Sequence, residues 1–234
     1  MASALELKDV SAGYGETVVL ENIDLAVAPG ESISVIGRNG VGKSTLLSTI
    51  MGHTTLHKGE VALSGQILNH VPVYRRATCG IGFVPQEREI FPSLSVRENL
   101  EVAARAGHWT EERVCELFPN LKERLGNMGN QLSGGEQQML SIARALMTNP
   151  TVLLMDEPTE GLAPVVVEAL TAVLVKLRGE SGLSIILVEQ NSRVAFEFSA
   201  RTVVMDKGRI VYDGQSAALR DDPERLHHLI GVSE

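Results

Sequence analysis

The sequence predicts an α/β fold: a mostly parallel sheet with helices on both faces, an N-terminal antiparallel β-subdomain and a helical insertion. Three observations predict it. Apolar runs of buried-strand length, such as Val152–Met155 and Ile185–Val188, alternate with helical patterns, which implies parallel strands joined by helical crossovers. The first thirty or so residues instead alternate apolar and polar positions around a glycine turn. Between them, Glu87–Asn130 turns polar, with apolar residues at helical spacing.

The elements follow in order. Leu5-Leu7-Asp9 and Val18–Val27 read as strands flanking the turn Gly13-Tyr14-Gly15. Ser32–Ile36 is a short apolar strand, and Lys43–Met51 a helix stopped at Gly52. Glu60–Leu63 and Ile81–Val84 are further strands. Helical periodicity runs over Val96–Ala106 and Glu111–Leu125. Gly134–Met147 is a helix, Thr151–Met155 a strand, Pro164–Arg178 a helix opening on proline, and Ser184–Val188 a strand. Thr202–Asp206 and Arg209–Tyr212 flank Lys207-Gly208 as a hairpin. The organisation expected is a single domain over 1–234, with a helical subdomain over about 87–147.

Bulk composition narrows the function. A net charge of −8 disfavours a nucleic-acid binder, which needs a basic face. No run approaches the roughly 18 apolar residues of a membrane span, and the N-terminus lacks the pattern of a secretory signal. Cys79 and Cys115 match no metal spacing and are expected as reduced thiols. The 6 histidines form no ligand set.

Gly37-Arg38-Asn39-Gly40-Val41-Gly42-Lys43-Ser44, followed by Thr45, fits the phosphate-loop pattern, with an apolar strand before it and a helix after it. Glycines there let backbone N–H groups turn toward phosphates at a helix start. Lys43 is placed to neutralise β- and γ-phosphate charge, and the Ser44 hydroxyl to ligate Mg²⁺. Val152–Met155 delivers two carboxylates, Asp156 and Glu157. Since successive strand side chains alternate faces, the two are expected on opposite faces with different tasks: Asp156 toward the metal shell, Glu157 toward an attacking water. Ser133-Gly134-Gly135 opens another helix, and Glu136 completes a capping box with Ser133. Its early N–H groups form a second anion site.

Leu132–Gln137, LSGGEQ, lies between the phosphate loop and Asp156-Glu157. In that order these motifs resemble the ATP-binding subunits of ABC transporters over nearly the whole chain. The resemblance implies a P-loop NTPase-type fold, ATP and Mg²⁺ as ligands, and a head-to-tail dimer in which Ser133, Gly134 and Gly135 of one subunit close over the other's nucleotide. It further implies that Tyr14, with Val18, packs on adenine. Gln86 reaches the metal and links the site to the helical insertion. Gln190 occupies the position where most relatives carry a γ-phosphate histidine, so it donates a hydrogen bond but holds no titratable proton. Ala163 likewise replaces a usual aspartate in a segment that crosses the dimer interface.

Asp156–Pro164 (DEPTEGLAP), Val188–Asn191 (VEQN), Val84-Pro85-Gln86 with Ile90-Phe91-Pro92, and the ending Leu229–Val232 resemble the subfamily serving branched-chain amino-acid uptake. The expected partners are membrane-spanning permease subunits, a second ATP-binding subunit (a copy or a similar gene product) and, indirectly, a solute-binding protein. The expected place is the cytoplasmic face of the membrane, peripherally bound. The rival expectations are an importer of urea or short amides, and a soluble ABC-type ATPase with no transport role.

Overall fold

The computed structural model describes residues 3–180 and 182–230, so Gly231-Val232 of the ending lies outside the described residues. Two sheets organise them. The first is antiparallel, in the order β2-β1-β4-β5, from β1 (Leu5–Tyr14), β2 (Thr17–Val27), β4 (Thr55–Leu63) and β5 (Gln66–Ile67). The second has six strands in the order β10-β9-β3-β8-β7-β6. Its members are β3 (Ser32–Ile36), β6 (Ile81–Val84), β7 (Val152–Asp156), β8 (Ser184–Glu189), β9 (Arg201–Asp206) and β10 (Arg209–Gln215). All neighbours in it are parallel except the β9–β10 hairpin.

β7 and β8 are buried along their whole length and β3 nearly so, which is why they read as unbroken apolar runs. Their side chains divide by parity. Val152, Leu154, Ile186 and Val188 join the core shared with the antiparallel sheet and helix α1 (Lys43–Met51). Leu153, Met155, Ile185 and Leu187 join the opposite core, beneath α6 (Gly134–Met147) and α7 (Pro164–Leu177). A third, smaller core links Ile36 and Val204 to α8 (Ser192–Phe198), α9 (Ser216–Arg220) and α10 (Pro223–Leu229).

Several elements differ from the periodicity reading. The first helix of the insertion, α3 (Val96–Glu101), stops five residues short of Ala106. Tertiary bonds claim the chain beyond it: the Arg105 N–H donates to Met147 O at 2.9 Å, and Asn149 Nδ2 donates to Arg105 O at 2.8 Å. The second predicted helix is split into α4 (Glu111–Leu117) and α5 (Pro119–Lys122), because Pro119 disfavours helix at Phe118 and starts a new one at its own first position. β4 starts at Thr55 rather than Glu60. Its first residues are mostly polar and mostly exposed, so no alternation marked them. α2 (Val73–Thr78) was too short to show a period.

α2 has a specific task. Arg76 is buried and donates to four backbone carbonyls: Thr49 and Ile50 at the end of α1, and Leu68 and Val71 beside β5. Burial pushes its pKa down, yet the guanidinium has acceptors on every side. Arg76→Ala would leave those carbonyls without their donor. A loss of about 2–4 kcal/mol is expected, read as a lower urea midpoint with unchanged slope.

Candidate active site

The parallel register places four strand ends at one edge. Ile36 pairs with Glu189, Asp156 with Val188, and Val84 with Met155. The residues that follow, Gly37, Glu157, Gln190 and Pro85-Gln86, therefore converge beyond the carboxyl ends of the strands, where ligands bind in open α/β sheets. A cleft of about 260 Å³ opens there, lined by Val19, Asn39, Gly40, Gly42, Lys43, Ser44, Thr45, Gln86, Glu157, Glu160 and Gln190.

The phosphate loop turns into α1 through Gly42, whose φ of 108° favours glycine. Behind the loop, the Gly208 N–H donates to Val41 O at 2.8 Å, so the β9–β10 hairpin supports it. Lys43 is only 4% exposed. Its Nζ donates to Gly37 O at 2.9 Å and Arg38 O at 3.0 Å, and pairs with Glu157 Oε1 at 3.1 Å. Ser44 Oγ donates to Asp156 Oδ1 at 3.1 Å. Burial raises the Asp156 carboxyl above its ordinary range, and the Ser44 bond partly opposes this.

One expectation is overturned. Asp156 and Glu157 do not face opposite sides of the sheet. Glu157 lies just past the end of β7 with φ at 46°, so strand alternation no longer applies to it. Its N–H donates to Val188 O at 2.9 Å, and its carboxylate swings back over Lys43. Left-handed backbone at a non-glycine residue costs on the order of 1 kcal/mol and persists only where neighbours enforce it. Both acids thus reach the first turn of α1 through different partners, Ser44 for Asp156 and Lys43 for Glu157.

Gln190 Nε2 donates to the other Glu157 oxygen, Oε2. Gln86 Nε2 donates to Glu160, an acid in the loop after Glu157 that the motif reading had passed over. An ionised carboxylate only accepts, so the amide must present its nitrogen to Glu160 and keep its oxygen for another partner. Ser44, Asp156 and Gln86 offer hard oxygen ligands of the kind that hold a divalent cation together with phosphates. Sequence reading also passed over Thr159 and Glu189, which hydrogen-bond to each other behind Glu157.

The remaining predicted residues lie outside the cleft. Tyr14 is the last residue of β1 rather than a turn residue, and is 53% exposed. With Val18 it stands at the tip of the hairpin whose Val19 lines the cleft. Ser133, Gly134 and Gly135 open α6. Ser133 Oγ accepts from the Glu136 N–H, and the Glu136 carboxylate accepts from the Ser133 N–H at 2.8 Å. This capping box leaves the Gly134 and Gly135 N–H groups, which have no intrahelical acceptor. The two glycines also have a packing reason. A Cβ on Gly135 would lie 2.6 Å from Val166 Cγ1, and one on Gly134 would lie 3.1 Å from Arg88 Nη1. None of the three lines the cleft that contains Lys43.

Comparisons with known proteins agree with this geometry. Residues 20–160 match the family model described as ABC transporter. The high-affinity branched-chain amino acid transport ATP-binding protein BraG of Pseudomonas aeruginosa is 40% identical, over 94% of this chain and 96% of its own length. A probable branched-chain amino acid transport ATP-binding protein, LivF, of Archaeoglobus fulgidus is 37% identical, over 90% and 91%. Among solved structures, the dimeric ATP-binding cassette MJ0796 in a post-hydrolysis state with ADP and Pi superposes with a TM-score of 0.78 at 29% identity. That match covers 91% of this chain and 98% of the other. The strand-end cleft, its phosphate loop and these relatives together establish the chain as an ATP-hydrolysing cassette of the ABC transporter family.

Proposed function

We propose that this cassette drives an importer for branched-chain amino acids, working as one of two ATP-binding subunits beneath membrane-spanning permease subunits, with a solute-binding protein delivering the solute outside. One observation carries the mechanism. The cleft contains Lys43, Ser44, Gln86, Glu157 and Gln190, whereas Ser133, Gly134 and Gly135 stand outside it. Each chain therefore supplies two separate half-sites, and two chains arranged head to tail complete both. The importer reading and its solute rest on the BraG and LivF relatives, which match nearly end to end. Among the described residues no helix is long and apolar enough to cross a membrane, which accords with a peripheral subunit at the cytoplasmic face.

In this reading the phosphate-loop amides and Lys43 hold the triphosphate, and Tyr14 meets the adenine at the hairpin tip. Ser44, Asp156 and the Gln86 amide oxygen would hold Mg²⁺, which would supply positive charge to the transferring phosphoryl group. Glu157 orients and polarises the attacking water. Gln190 donates to one Glu157 oxygen, which leaves the other for Lys43 or the water. Phosphoryl transfer depends mainly on such positioning and charge stabilisation. The γ-phosphate bridges Lys43 of one chain and the Gly134 and Gly135 amides of the other, and hydrolysis removes the bridge and reopens the pair.

Two experiments test this. Glu157→Gln keeps nearly the same shape but loses the charge that polarises water. It is expected to bind ATP normally, turn it over at least about 100-fold more slowly, and accumulate as a closed dimer on sizing columns. Near-normal turnover would remove Glu157 from the chemistry. Ser133→Arg puts bulk and charge at the α6 start. Nucleotide affinity of the monomer should stay at the wild-type value while the ATP-dependent dimer fraction collapses; an undiminished dimer would refute the two-half-site arrangement.

A further inference from the structure

Glu189 is the most thoroughly enclosed carboxylate near the cleft, at 2% exposure, and no part of the mechanism above uses it. It ends β8, directly before Gln190. Its Oε1 accepts two hydrogen bonds from one residue across the site: the Thr159 hydroxyl at 2.8 Å and the Thr159 N–H at 3.2 Å. Thr159 is itself buried and lies two residues after Glu157. Burial raises the Glu189 pKa and the Thr159 bonds oppose the rise.

The surroundings explain what such a clamp does. Glu157 holds a left-handed backbone conformation that its own side chain does not favour. On one side, its N–H is tied to Val188 O at 2.9 Å. On the other, the chain continues through Pro158 to Thr159, where both Thr159 donors end on Glu189. Val188 and Glu189 are consecutive residues of one strand, so the segment 157–159 is stapled to the end of β8 at two adjacent points. The same strand end carries Gln190, which donates to the Glu157 carboxylate. Were the second staple absent, Glu157 could relax about its backbone, and its carboxylate would leave the position over Lys43.

We propose that Glu189 is a positioning residue for ATP hydrolysis: by gripping both Thr159 donors it holds Glu157 in the conformation that aims its carboxylate into the cleft. Glu189 does not line the cleft that holds Lys43, so its removal acts on turnover and not on nucleotide capture. The inference rests on the role given to Glu157 under Proposed function.

The test uses the purified chain and compares Glu189→Ala, Glu189→Gln, Thr159→Val, the double variant Glu189→Ala/Thr159→Val, and Glu157→Gln as reference. Measured for each are steady-state kcat and KM, the Kd of a fluorescent ATP analogue, and the Tm. Misplacing a catalytic group by about an ångström costs up to about 100-fold, so Glu189→Ala is expected to lower kcat by about 10- to 100-fold with the Kd of the analogue unchanged. The double variant should lose no more than Glu189→Ala, which already removes both Thr159 bonds, whereas Thr159→Val removes only the hydroxyl one. Glu189→Gln should recover most of the rate, since an amide oxygen still accepts both Thr159 bonds. If Glu189→Ala does not fold, Thr159→Val and Glu189→Gln carry the comparison. A wild-type kcat in Glu189→Ala or Thr159→Val overturns the proposal. So does additive loss in the double variant, or a loss of Tm and nucleotide affinity with kcat unchanged. Full turnover by Glu157→Gln would sink the underlying role of Glu157 and this inference together. A dead Glu157→Gln beside a fully active Glu189→Ala sinks this inference alone.

Discussion

Double-sided burial of β3, β7 and β8 is the constraint from which the site follows. A strand covered on both faces has no polar side to present, so slipping its register by one residue would exchange the side chains of two different cores. With register locked, Ile36, Asp156 and Glu189 end within one residue of each other, and the loops that follow have nowhere to go but toward each other. The phosphate loop, the paired acids and the two glutamines are therefore neighbours because of the packing of the strands that lead into them.

The cleft concentrates charge in a place with little water to screen it. Lys43 and Glu157 form an ion pair that is nearly fully enclosed, with Asp156 and Glu189 close behind. Buried pairs of this kind contribute little to stability, since desolvation offsets attraction. Their value here is directional. Lys43 is already fixed by the Gly37 and Arg38 carbonyls, so the ammonium is aimed before any anion arrives. Preorganisation of this sort lowers the reorganisation needed during phosphoryl transfer.

Legibility in the sequence depended on whether the cause was local. The phosphate loop, the Ser133–Glu136 capping box and the run of β7 were readable because spacing within a few residues determines each. The direction of Glu157 was not, because the bond that turns it comes from Val188 on another strand. Glu160 and Glu189 stood inside motifs of the sequence without a role of their own. Their partners Gln86 and Thr159 lie 74 and 30 residues away, and only the folded register brings them together. The same limit shortened α3, whose end is set by Met147 and Asn149 rather than by its own apolar pattern. Pro119 was a local signal that periodicity alone overrode.

Arg76 has an electrostatic corollary. The carbonyls it covers at Thr49 and Ile50 form the negative pole of α1, nine residues long, whose opposite pole faces the cleft. A guanidinium fixed there is a permanent internal counter-ion. It quenches the field at the far pole and leaves the near one unquenched, so α1 behaves as a one-ended magnet for anions, polarised by a residue that never meets them.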